Sequence, residues 1–171
     1  MITAEEIVRM LKLAPLPVEG GLFRQTYRSE EMIEAAALPG RYAGDKSFCT
    51  AIYYLLTAEP DSFSALHRLP TEEIYHFYLG DPVEMLVLHP DGKYETLLLG
   101  TDIRNGQKVQ HVVPRETWQG SRLRSGGRLA LMGTTMAPGF DAEDFVLGNR
   151  EDLLRRYPQA SELIRGLTRG R

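Results

Sequence analysis

The sequence predicts a mainly β protein, a sandwich or closed barrel, with one short helix ahead of the strands and one or two behind them. Short runs rich in β-branched and aromatic residues follow each other at near-regular spacing from Leu22 to Thr135. The breaks between these runs carry turn residues. A helical period of apolar residues occurs only at the two ends.

Thr3-Ala4-Glu5-Glu6 is a capping box, in which the hydroxyl caps an amide three residues on and Glu6 reaches back. Ile7, Val8, Met10 and Leu11 supply an apolar face, and the helix ends before Pro15. Gly20-Gly21 opens a strand from Leu22 to Arg28. Residues 30–45, with acids, alanines, Pro39, Gly40 and Gly44, read as a loop or short helical excursion. Strands are then expected over 47–57, 62–69, 73–79, 83–89, 94–99, 108–113, 118–123 and 128–135, about nine or ten in all. The turns include Gly80-Asp81-Pro82, Asn105-Gly106 and Ser125-Gly126-Gly127, and Asp91-Gly92 is a hairpin signal. Asn149 caps a helix reaching Tyr157. Pro158 suits the first turn of another, with Leu163, Ile164 and Leu167 on its apolar side.

At 171 residues, 43% hydrophobic and 25% charged, the chain fits one domain, 1–171, large enough for a full core. A net charge of −3 with no basic block gives nucleic acid no electrostatic footprint. Arg165, Arg169 and Arg171 read as a solvated tail. The single Cys49 excludes a disulfide framework and reads as a buried packing residue. With no signal-peptide pattern and no apolar run of spanning length, a cytoplasmic setting without membrane contact is expected.

The stretch Phe63 to Gly80 carries the chemistry. By alternation, His67 shares a face with Phe63, Ala65 and Leu69, and Glu73 with Tyr75, Phe77 and Leu79. Both faces are mostly apolar, so both point inward. A histidine and a glutamate there need each other, a ligand or water. Gln119, with Thr117 and Ser121, adds a polar strand face and a second hint of a lined cavity. Arg24 and Arg28 share one face of the early strand and could hold an anionic group. His76 falls on the opposite face, with Ile74 and Tyr78, where packing or an interface fits better than catalysis. His89 and His111 have no carboxylate at useful spacing and read as structural or exposed. No phosphate loop, paired CxxC, HExxH or GxSxG pattern occurs.

This combination resembles the cupin superfamily. Its first motif, G…H-x-H-x3-4-E-x6-G, is met by His67-x-Leu69-x3-Glu73-x6-Gly80, with Leu69 in place of the second histidine. Its second, P-x-G-x2-H, falls on Pro114-x-Glu116-x2-Gln119, with Gln119 in place of the histidine. A closer likeness is to the branch often called family five. It is carried by Gly20-Gly21 through Ser29, Thr50 through Leu56, His67-Arg68 with Glu73, Val113-Pro114 with Trp118-Gln119, and Ala137-Pro138-Gly139-Phe140. That branch usually has Glu where this chain has Gln25. The resemblance implies a jelly-roll barrel (a double-stranded β-helix) and a homodimer. It also implies a loose likeness to dTDP-sugar 3,5-epimerases, which use the same barrel and a lone histidine as base.

A small-molecule ligand in the barrel is common to the functions that follow. The first is a metal-independent, epimerase- or isomerase-like enzyme acting on a sugar or similar polar metabolite. His67, near neutral pKa, is its base. Glu73 orients the imidazole, Tyr75 donates a proton, and Arg24, Arg28 and Gln119 hold the substrate. No cofactor is expected for it. The second is a non-catalytic binding module using the same cavity. The third is a metal-dependent enzyme in which His67, Glu73 and Gln119 hold a divalent ion weakly, since an amide oxygen is a poor ligand for metals that favour imidazole.

Overall fold

The computed structural model describes residues 2–169. Thr3 closes the expected capping box: its side chain accepts from Glu6 N at 3.2 Å, and Thr3 N donates to Glu6 Oε2 at 2.8 Å. The helix it starts is α1 (Ala4–Leu11). Among the described residues thirteen strands follow. They are β1 (Ala14–Pro15), β2 (Leu22–Arg28), β3 (Met32–Ile33), β4 (Lys46–Ser47), β5 (Thr50–Thr57), β6 (Phe63–Arg68) and β7 (Glu73–Gly80). Then come β8 (Val83–Leu88), β9 (Tyr94–Leu99), β10 (Gln110–Val113), β11 (Trp118–Leu123), β12 (Leu129–Met136) and β13 (Val146–Leu147). The helices α2 (Arg150–Arg156) and α3 (Ser161–Gly166) come last.

The strand ladders are antiparallel. One sheet runs β1-β2-β5-β12-β7-β10 and the other β13-β6-β11-β8-β9, while β3 and β4 pair apart. Tyr54, Tyr75, Phe77 and Met132 of the first sheet meet Val83, Met85, Val87 and Leu97 of the second in one buried cluster, which makes the two sheets a jelly roll. Outside the first sheet, α1 lays Ile7 against Leu55, Leu129 and Leu131. Outside the second, α2 and α3 lay Leu153 and Ile164 against Leu66, Leu86 and Leu88. Thus β8 is covered on both faces, and Leu86, Val87 and Leu88 are all fully buried. Each such side chain contributes about 1.5–3 kcal/mol. The strands β1, β3, β4 and β13 escaped the sequence because two-residue pairings have no period.

Bulges re-aim side chains that simple alternation misplaces. In β2 the register passes from Gln25↔Ile52 to Tyr27↔Ala51, so Arg24 and Arg28 do not share a face as expected. In β6, Gln119 pairs with His67 but Ser121 pairs with Ser64, leaving Ala65 and Leu66 opposite Gly120. His67 therefore keeps the inner face with Ser64, and Phe63 joins Leu66 beneath the C-terminal helices rather than sharing the face of His67. In β7 the ladder skips Tyr78, and Leu79 turns outward onto the α1 cluster, away from Glu73.

The C-terminal tail also differs from its expectation. Arg169 donates to the carbonyls of Val18 at 3.1 Å, Glu19 at 3.2 Å and Asp61 at 3.4 Å, and its guanidinium lies 4.6 Å from the Phe63 ring centroid. Arg171, read with it as part of a solvated end, lies outside the described residues. Among those residues no helix is long and apolar enough to cross a membrane.

Candidate functional site

His67 sits on β6 with 2% of its surface exposed. Its Nδ1 lies 2.8 Å from the Ala65 carbonyl, which can only accept, so Nδ1 carries a proton in either charge state. Nε2 is then the atom that gains or loses one. It faces Glu73 Oε2 at 3.9 Å, beyond hydrogen-bond reach. Gln119 Nε2 donates to that same oxygen at 2.7 Å. Phe145 stacks on the imidazole, with centroids 5.0 Å apart and planes at 21°. The loop carrying Phe145 is anchored by fully buried Lys46, which donates to Glu143 at 2.8 Å and Asp144 at 3.0 Å. Breaking a buried pair of this kind costs about 3–5 kcal/mol.

Glu19, which sequence reasoning missed, completes the group. Ser64 Oγ donates to its Oε1 at 2.7 Å. It sits in the turn before β2, where Glu19 N donates to Pro17 O at 2.8 Å across Val18, whose φ is 70°. That is a strained γ-turn around a β-branched residue. Gly20 and Gly21 follow at φ 105° and 71°. A Cβ on Gly21 would lie 2.7 Å from the Tyr54 hydroxyl, so glycine is needed where the chain passes that ring. The available signal in the sequence was an acid directly before a glycine pair that opens a strand.

The electrostatics differ from the near-neutral imidazole expected from the sequence. Burial favours the neutral ring. The Glu19 charge, then Glu73 and the Ala65 carbonyl, overcome it and raise His67 to about 9. Glu19 is itself raised by burial and by Glu73, partly offset by His67. Burial, with the carboxylates, holds the phenols of Tyr54 and Tyr75 well above the ordinary tyrosine value.

A cavity of about 130 Å³ opens onto Glu19, His67 and Glu73, with Phe23, Ile52, Leu69 and Phe140 among its apolar walls. Tyr75, on the strand of Glu73, is 2% exposed and belongs to the barrel core. Gln119 meets the cavity through Glu73. Arg24 is not brought to the cavity: its guanidinium lies 5.5 Å from the Tyr53 ring. Arg28 shares the register of Thr50 and donates to Phe140 O at 3.0 Å and Asp141 at 3.3 Å, so its charge is already paired. His76 sits between Gln110 and Thr135, at 3.2 Å from each. His89, expected to lack a carboxylate, meets Glu95 at 3.3 Å across the hairpin.

The donor set does not fit the metal that a cupin barrel implies. Leu69 stands where the second histidine of the motif would be and lines the cavity. Gln119 turns its amide nitrogen, a donor, to Glu73. Among the described residues no group of three or more His, Cys, Asp or Glu is arranged to hold an ion.

Comparison with known proteins gives consistent matches. The family described as Cupin superfamily (DUF985) matches residues 5–148. An uncharacterised protein of Saccharomyces cerevisiae is 30% identical over 145 residues, 80% of this chain and 71% of that protein. A solved structure from Shewanella oneidensis is 31% identical over 100% of both chains, with a TM-score of 0.86. A cupin 2 domain-containing protein from Halorhodospira halophila is 13% identical over 90% of this chain and 86% of that one. Its TM-score of 0.53 speaks to the fold alone.

Proposed function

The chain belongs to the cupin superfamily, in its DUF985 branch, and from that premise we propose that its barrel binds a small metabolite and moves a proton on it without a metal, as an isomerase or epimerase does. The observation that carries this reading is His67 Nε2, turned to Glu73 at a cavity that Glu19 also lines. A proton carrier beside two carboxylates can deliver a proton at one substrate atom while a carboxylate takes one at another. With His67 raised to about 9, its resting form at neutral pH is the donor. Glu73 or Glu19 is then the first base, and His67 acts as base on the return step. Gln119 holds Glu73 in place, and Tyr75 stays protonated beside it. A sugar or other hydroxycarbonyl compound has the acidic C–H that such a pair needs.

The test is solvent exchange. Candidate metabolites incubated in D₂O with the protein should take up deuterium at a carbon next to a carbonyl, read by NMR. His67→Asn should slow this by about 10²- to 10⁴-fold. Exchange at the full rate in the variant would refute the role. A second reading, a binding module without turnover, is favoured by the apolar walls. It predicts a ligand bound by both proteins and no exchange by either.

A further inference from the structure

At the polar end of the cavity a donor and an acceptor stand just too far apart to meet. His67 as imidazolium carries a proton on Nε2, and Glu73 Oε2 at 3.9 Å is beyond its reach. Nδ1 is spent on the Ala65 carbonyl, and Phe145 stacks on the ring. Nε2–H is therefore what His67 can offer a ligand. Glu73 accepts from Gln119 at 2.7 Å, and a carboxylate has room for further donors. A single group that serves both must accept from His67 and donate to Glu73. A hydroxyl does both, whereas an ammonium only donates and a ketone or carboxylate only accepts.

The charges around this end balance. Glu73 and half-buried Glu19 face the imidazolium, and Arg169 brings a second positive charge against the Glu19 backbone. Ser64 donates to Glu19, and the Tyr54 and Tyr75 phenols sit beside the carboxylates. A ligand therefore needs no net charge. Thr50 and Thr134, both buried, add two hydroxyls to the wall, and Thr50 Oγ1 already accepts from Phe140 N. Their protons suit one carbonyl oxygen. Leu16, Phe23, Ile52, Leu69, Met136 and Phe140 wall the remainder, where a further hydroxyl would leave water without gaining a partner. The volume is about 130 Å³. A cavity of about 150 Å³ takes a benzene ring, so the occupant has about six non-hydrogen atoms.

We propose that the cavity takes a compact, uncharged, alkyl-ended hydroxyketone, its hydroxyl set between His67 and Glu73 and its short alkyl ends against the apolar wall. This rests on the reading of the barrel as a ligand site and narrows its substrate class. Hexoses exceed the volume, and their additional hydroxyls would meet that wall.

A matched set at pH 7 decides it: acetoin, butan-2-one, dihydroxyacetone and lactate, titrated by calorimetry and by the NMR signals of His67. Acetoin is expected to bind tightest. Its lead should be about ten-fold over butan-2-one, which lacks the hydroxyl, and about ten-fold over dihydroxyacetone, whose second hydroxyl meets the wall. Lactate, a carboxylate, should bind weakest. Equal binding of acetoin and butan-2-one would overturn the bridging hydroxyl. Tightest binding by dihydroxyacetone or lactate would overturn the ligand class and leave the ligand site standing. No binding by any of the four, with His67 signals unmoved, would overturn both. Acetoin bound tightest but taking up no deuterium from D₂O would support the ligand class and count against turnover.

Discussion

Gln119 Nε2 donates to Glu73 Oε2 at 2.7 Å, and both side chains are buried. The contact joins β11 of one sheet to β7 of the other across the barrel. It gives Glu73 a hydrogen bond at the oxygen nearest His67. Gln119→Leu keeps most of the volume and removes the donor. A buried charged acceptor left short of its donor costs about 1.5–3 kcal/mol, to be read by urea unfolding. An unchanged midpoint would show that the contact holds nothing in place.

Stability should fall as pH rises. The folded-state values of Glu19 and His67 both lie above their ordinary ones of 4.5 and 6.5. Each contributes its stability in full below the unfolded value and loses it as pH climbs through the folded one. For His67 the window runs from 6.5 to about 9. Its share is about 3 kcal/mol. Unfolding free energies measured from pH 4 to 10 should show this decline, and His67→Asn should flatten the alkaline part. A profile that rises from pH 6.5 to 9 would contradict the placement of the two carboxylates.

Arg169 is a positioning residue for Glu19. It ties the carbonyls of Val18 and Glu19 to that of Asp61. Lysine cannot span three carbonyls with one fork-shaped group. Arg169→Lys should therefore cost about 1–2 kcal/mol. It should also lower the titration midpoint of His67, followed by NMR, because Glu19 is less firmly held. Loss of tail packing alone would leave that midpoint where it is.

On metal, the purified protein should carry no near-stoichiometric transition ion by elemental analysis, because its donor set holds one imidazole. Leu69→His combined with Gln119→His supplies the two histidines that the cupin motifs call for, and this double variant should acquire a divalent ion from manganese- or nickel-containing buffer. Near-stoichiometric metal in the wild type that disappears in His67→Asn would overturn the argument.

On assembly, a homodimer is expected at micromolar concentration by light scattering. Tyr27, Tyr78 and Val112 are 53%, 48% and 45% exposed on strands of the six-stranded sheet. Apolar surface of this kind on one sheet suits a self-complementary contact. Tyr78→Glu should weaken the dimer, and a monomeric wild type would dismiss it.

Much of this protein was legible in its sequence. The strand periods, the Thr3–Glu6 box and the Asp91-Gly92 hairpin are local, because each depends on side-chain spacing within a few residues. The motif spacing brought His67, Glu73 and Gln119 to notice for the same reason. What the sequence could not decide is which way certain side chains face. A bulge is a property of two paired strands: Ala65 and Leu66 are accommodated because Gly120 lies opposite, where a Cβ would come within 3.0 Å of the Ser64 carbonyl. Alternation counted along β6 alone therefore put Phe63 on the wrong face, and along β2 alone it put Arg24 and Arg28 together.

Glu19 and Arg169 show the same limit at longer range. Neither lies in a periodic segment, and they meet across 150 residues of chain. The Glu19 charge raises His67, and so decides whether the ring is a resting base or a resting acid. The sequence by itself determined the barrel and three of its polar residues, through repeating local geometry. The charge state of the site was decided only by the tertiary fold, because burial and Coulomb interactions depend on distance in space and not on separation along the chain.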